Sequence, residues 1–308
     1  MDIFLQQIIN GLTLGSIYAV VALGYTMVYG IIQLINFAHG EVVMIGALVA
    51  LTVISGLGTD SALPPLAIVL IAACAAILVC MVVGYALERL AYRRLRHAPR
   101  LAPLITAIGA SIVLQQLAMM VWSRNPLAFP QIIPNPVFHV AGATITAVQI
   151  AIVAASILMM TGLSLIVYRT RLGVAMRATS QNPRIAGLMG VDINRVIAAT
   201  FMLGAALAAV AGVMVGTYYG IAHYTMGSLL GLKAFSAAVL GGIGNLAGAM
   251  LGGILLGLVE ALGAGYIGDL TNNVFGSNYQ DVFAFLVLIA VLVLRPSGLL
   301  GERVGDRA

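Results

Sequence analysis

The chain has 308 residues, 61% of them hydrophobic and only 8% charged, with 15 basic against 10 acidic side chains and a mean hydropathy of +1.07. A soluble domain carries about 25% charged residues, and so few charges cannot cover the outside of a water-soluble chain of this size. The balance argues against soluble catalysis and against nucleic-acid binding, and makes lipid the solvent.

From the amino end, Asp2 precedes the first apolar stretch and no basic residue does. That is not the positive start of a cleaved signal peptide, so the first hydrophobic segment is expected to stay in the mature protein. A spanning helix needs about 20 mainly apolar residues. Apolar runs bounded by Pro, Gly and charge predict spans near 6–29, 41–57, 66–88, 102–122, 149–168, 196–219, 228–243, 246–267 and 282–295. The expected fold is an all-α integral membrane protein, a polytopic helical bundle of about eight or nine spans with broken or re-entrant elements. The broken candidates are the short run 228–243 and the link 31–41, too polar for lipid and too apolar for water. Cys74 and Cys80, six apart in one apolar run, read as small core residues. The loop 123–146 carries four prolines and is expected to be extended, as a connector or a docking surface.

Basic residues gather in cytoplasmic loops. Arg89, Arg93, Arg94, Arg96 and Arg100 share one loop, and Arg169, Arg171, Arg177, Arg184 and Arg195 a second. Arg295, Arg303 and Arg307 lie in the carboxyl tail. Placing all three segments inside puts the carboxyl terminus in the cytoplasm and, with nine spans, the amino terminus outside. The outer loops then hold Asp60, Asp269, Asp281 and only Arg124.

Three segments carry candidate chemistry. Between two apolar runs lies Ile35–Glu41 (INFAHGE), whose Asn36, Phe37, His39, Gly40 and Glu41 are candidate substrate-path residues. A charged group at the bilayer centre costs about 3 kcal/mol, so it is expected to face protein or a water-filled cavity, and Gly40 permits a backbone break. A polar helix end at the membrane surface is the plain alternative, and a two-ligand metal site a remote one. The second is Lys233–Gly265, where Gly241, Gly242, Gly244 and Asn245 make a flexible polar point and further candidate path residues. Its Gly248/Gly252 and Gly253/Gly257/Ala261 stripes suit close helix packing, within the chain or at a subunit seam.

The third is the coupling loop near 169–195. Asn182 suits a helix cap, Pro183 the first helical position and Gly190 the stop, which predicts a helix of about two turns outside the bilayer. Arg177, Arg184, Ile185, Leu188 and Met189 complete the set proposed to touch another protein, with a membrane-surface helix as the alternative. The single lysine, Lys233, is followed by alanine, so the chain has no phosphate-binding P-loop. A carrier working alone through Glu41 or Glu260 is the competing class of function.

Four stretches, GLTLGSIYAVVALGYTMVYGIIQLINFAHGEVVMIGA, RLGVAMRATSQNPRIAGLMGVDINRVIAATF, LKAFSAAVLGGIGNLAGAMLGGILLGLVEAL and VLRPSGLLG, closely resemble the LivH-type permease of bacterial branched-chain amino-acid ABC transporters. The resemblance covers nearly all of the chain, and INFAHGE together with RAxxxNPxxAxLxGV is specific to that family. It implies that residues 1–308 form one transmembrane permease domain of an inner-membrane importer. The implied partners are a second homologous permease, two cytoplasmic ATPase subunits and an extracytoplasmic binding protein for leucine, isoleucine or valine. No cofactor is expected in this chain, since ATP and Mg would be bound by the ATPase subunits. The loop around Arg177–Asp192 would be the coupling helix.

Overall fold

A computed structural model describes residues 2–58, 63–96, 98–99, 101–132, 134–140, 142–270 and 279–301. Asp60, Arg100, Arg303 and Arg307, on which part of the orientation argument falls, lie outside the described residues.

Eleven α-helices appear among the described residues. They are α1 (Asp2–Ile32), α2 (His39–Leu57), α3 (Pro65–Ala86), α4 (Leu101–Val121), α5 (Ala147–Arg169) and α6 (Arg171–Gln181). There follow α7 (Pro183–Leu188), α8 (Ile193–Tyr219), α9 (Met226–Gly241), α10 (Leu246–Leu270) and α11 (Gln280–Leu294). Nine of these match the nine apolar runs, and seven are long and apolar enough to cross a membrane. The exceptions, α9 and α11, have 16 and 15 residues. At about 1.5 Å per residue each falls short of the hydrocarbon thickness. Helix α3 continues through a π-turn, Leu87–Tyr92, and a 3-10 turn, Arg93–Leu95.

The proline-rich loop is extended, as its spacing predicts, but it also forms strands that the prolines did not announce. Strand β1 (Leu127–Ala128) is the first, and β2 (Val137–Val140) pairs antiparallel with β3 (Ala143–Thr146). A fourth, β4 (Ile221–Ala222), follows α8 and pairs with β1.

The chain divides into two compact units: Met1–Thr26, Asn135–Leu158 and Lys233–Ala308 in one, Met27–Pro134 and Met159–Leu232 in the other. Three of the four boundaries fall inside α1, α5 and α9 and the fourth in the loop between β1 and β2, so neither unit is a contiguous piece of sequence.

In the second unit α2, α3 and α8 pack together where glycines let backbones touch. A Cβ on Gly46 would lie 2.7 Å from the Cα of Ala209, and one on Gly84 2.7 Å from the Cβ of Ala205. In the first unit α1 meets α10 in the same way: a Cβ on Gly15 would lie 2.7 Å from the Cα of Ile254, and one on Gly253 2.5 Å from the Cα of Ala19. Gly252 faces Ala237 and Gly241 of α9. Both glycine stripes of α10 are therefore used for packing within the chain, since in lipid close van der Waals contact replaces the hydrophobic effect as the attraction between helices.

Candidate functional site

In the second unit the INFAHGE segment is a true break. Helix α1 stops at Ile32, Gln33 takes a left-handed φ of 53°, and α2 begins at His39. The Asn36 side chain organises the interruption, its Oδ1 accepting from the Ala38 amide (3.1 Å) and from the Tyr92 hydroxyl (3.0 Å). Phe37 packs against the buried cluster of Val28, Tyr92, Ala107, Ile197 and Phe201. Gly40 has no room for a side chain, because a Cβ there would sit 2.8 Å from the Cα of Gly231 and closer still to the Gly227 carbonyl. The start of α2 and the start of α9 thus run backbone to backbone.

Glu41, in the first turn of α2, is completely buried. Its Oε1 accepts from Ser111 Oγ (3.1 Å) and Gln115 Nε2 (3.2 Å) of α4, while Oε2, facing Gly227, is buried with no hydrogen-bond donor. A carboxylate near a helix N-terminus gains from the dipole. An unmet acceptor in a dry interior is nevertheless costly and calls for a functional account. His39 is buried beside it.

The second set of candidate path residues falls in the first unit and forms a packed turn. Gly242 and Gly244 have φ of 103° and 100°, which L side chains avoid. Asn245 caps α10, its Oδ1 accepting from the Gly248 amide, while its Nδ2 donates to the Leu300 carbonyl (2.9 Å). The closing segment after α11 lies along this turn, with the Leu299 and Leu300 amides donating to the Leu240 and Gly241 carbonyls. Gly241, Gly242, Gly244 and Asn245 thus hold the α9–α10 turn against the carboxyl segment.

The same unit contains a charged group that the sequence did not single out as a cluster. Lys233 of α9 lies 2.7 Å from Glu260 of α10 and 2.6 Å from Asp281 of α11, and the Tyr18 hydroxyl of α1 donates to Glu260 Oε2 (2.9 Å). Glu260 is thus half of a buried ion pair, not the free carboxylate that a proton-coupled carrier would require.

The loop near 169–195 contains two helices where one is expected. Helix α7 has the predicted caps: Asn182 Oδ1 accepts from the Ile185 amide (3.1 Å) and Pro183 opens the helix. Gly190 closes it at φ 86°, with the Val191 amide on the Ala186 carbonyl and the Gly190 amide on that of Gly187. Ile185, Leu188 and Met189 are 57, 82 and 80% exposed, and Arg184 is exposed beside them. Arg177 departs from the expectation. It lies in α6, which Thr170 caps through the Gly173 amide. Its guanidinium turns back to the Val167 carbonyl and over the Tyr168 ring, because the end of α5 offers an unpaired acceptor within reach. It supports the loop and is not part of the α7 surface.

Another cluster was hidden in the first Arg run. Glu88, fully buried in the π-turn, is paired with Arg93 (2.7 Å) and with Arg96, whose Nη1 also donates to Asn194 Oδ1 (2.7 Å). Burial lowers the pKa of Arg96 from the ordinary arginine value, and Glu88 opposes that shift. Glu88 carried no signal of its own among so many arginines, which read as a cytoplasmic loop.

Helices of this length and apolar character, interrupted by a polar break, define a polytopic helical membrane protein. Residues 7–292 match the family described as branched-chain amino acid transport system / permease component, and the chain belongs to that family. Similar proteins include the high-affinity branched-chain amino acid transport system permease protein BraD of Pseudomonas aeruginosa, 50% identical over 97% of this chain and 96% of the relative. LivH of Escherichia coli K12 is 43% identical over the same shares. A probable branched-chain amino acid transport permease protein LivH of Methanocaldococcus jannaschii is 26% identical over 97% of this chain and 94% of the relative. No solved structure matches.

Proposed function

We propose that this permease is a subunit of an ATP-driven importer of branched-chain amino acids, leucine, isoleucine and valine, in a bacterial inner membrane. In this reading it lines the translocation path together with a second homologous permease. An extracytoplasmic binding protein delivers the solute, and two cytoplasmic ATPase subunits, which bind ATP and Mg, supply the energy. Membership of the family and the names of the relatives support the substrate class.

The observation that carries the ATP-driven reading is α7. A six-residue helix locked at both ends, with Ile185, Leu188 and Met189 outward, has the form of an anchor for a groove on another protein. A membrane loop that only joined two spans would need neither caps nor apolar anchors. Within the second unit, one end of α8 carries the Arg96–Asn194 bond and the other the β1–β4 pair. The arginine excess at the first end supports placing it, with α7 and the carboxyl terminus, in the cytoplasm.

For the solute route the reading rests on the Asn36–Glu41 break. The buried Oε2 of Glu41, without a donor in this structure, supports an acceptor role toward the ammonium group common to amino acids. Gly241, Gly242, Gly244 and Asn245 have the separate role of fixing the turn between α9 and α10.

The test uses the assembled complex in proteoliposomes. Leu188→Asp is expected to insert normally and to weaken ATPase binding by about 1–3 kcal/mol, the usual cost of losing an interface anchor. Solute should then no longer stimulate hydrolysis. Glu41→Gln is expected to assemble and to lose uptake. Wild-type coupling in the first variant would sink the docking reading, and wild-type uptake in the second would remove Glu41 from the route.

A further inference from the structure

Between the loop that presents α7 and the break that carries Glu41 runs an unbroken series of contacts, all inside the second unit. It begins at the start of α8. Asp192 caps that helix immediately after α7, its Oδ1 accepting from the Asn194 and Arg195 amides. Asn194 Oδ1 accepts from Arg96, Arg96 is paired with Glu88, and Glu88 lies in the first part of the π-turn that ends at Tyr92. The Tyr92 hydroxyl then donates to Asn36, which shapes the approach to α2. The Tyr92 ring also lies against Phe201 of α8, centroids 5.2 Å apart. Both ends of the π-turn are thus tied to α8, while its far end alone reaches the break.

A π-turn holds one residue more than an α-turn, and it closes here through the Arg93 amide on the Glu88 carbonyl. Moving that extra residue along the helix would rotate everything beyond it. An element of this kind converts a push at one end into a rotation at the other. Burial sharpens the effect. Glu88 and Tyr92 are both inaccessible to water, so neither can exchange its partner for solvent, and each must follow the group it holds.

Resting on the docking reading of α7, we infer that Glu88 and Tyr92 are the positioning residues that transmit movement of the docked loop to the Asn36–Glu41 break, with the π-turn between them as the moving part.

The experiment measures solute taken up per ATP hydrolysed in reconstituted complexes, a ratio that a loss of folded protein leaves unchanged. Tyr92→Phe keeps the ring on Phe201 and removes only the hydroxyl, while Asn194→Ala, at an exposed position, releases Arg96 from the loop. Each is expected to lower the ratio about three- to tenfold, the size of coupling change that single residues along such a connection produce. ATPase co-purification should stay normal. Because both changes interrupt one series, the double variant should be no worse than the poorer single one; independent effects would multiply. Glu88→Gln is expected to match the double variant, and Glu88→Asp to restore part of the ratio. Wild-type ratios in both single variants, or multiplied losses in the double, overturn the inference even where Leu188→Asp still uncouples. If Leu188→Asp couples normally, the docking reading falls and the inference falls with it.

Discussion

Lys233 is the only lysine of the chain, and its ammonium is buried between Glu260 and Asp281. Two ions taken out of water are held by each other, and removing one strands its partners. Lys233→Met is therefore expected to lower stability by about 3–5 kcal/mol. Adding Glu260→Gln should recover part of the loss, because the Tyr18 hydroxyl still finds an acceptor on the amide. Thermal unfolding in detergent checks both, and a Lys233→Met protein as stable as the parent would show that the cluster is not a structural tie. What was legible at this scale was local. Asn182, Pro183 and Gly190 declared α7 because capping is settled within a few residues of chain. Lys233 and Glu260 are 27 positions apart on different helices, and Arg96 meets Asn194 across 98 positions. Pairings of that kind are made by tertiary packing, to which residue spacing along one helix gives no access.

The helices themselves were nearly all visible as apolar runs, since in lipid each segment must satisfy its own backbone. The amphipathic α6 was not: its polar composition merged with the loop around it. By contrast, the spacing of small residues was legible: Gly253 lies in a small-residue stripe and a Cβ on it would strike Ala19 at 2.5 Å, whereas Gly109 of α4 lies in none and a Cβ there meets nothing within 4 Å. Gly253→Ala is accordingly expected to destabilise by about 1–3 kcal/mol through forced separation of α1 and α10. Gly109→Ala should change stability by no more than about 0.5 kcal/mol. Denaturant titration in mixed micelles distinguishes them, and equal effects would contradict the packing described here.

For the molecule as a whole, nine apolar elements and the position of the arginines make a testable topology. In a background with Cys74→Ala and Cys80→Ala, a cysteine introduced by Arg184→Cys should be labelled by an impermeant reagent only after the membrane is opened, and one introduced by Asn125→Cys in intact cells. Labelling of Arg184→Cys from outside would invert the assignment. The division into two interleaved units was not legible, because apolar runs report which segments enter the membrane and say nothing of which segments then choose one another. That interleaving has a consequence for biosynthesis. Gly15 near the amino end packs on Gly253 and Ile254, close to 240 residues later in the order of synthesis. At about 5–20 residues per second, α1 waits roughly 12–48 s for its partner to leave the ribosome. Throughout that interval its glycine face has only lipid, the insertion machinery or a neighbouring chain to lie against, so the first helix made is among the last to find its place.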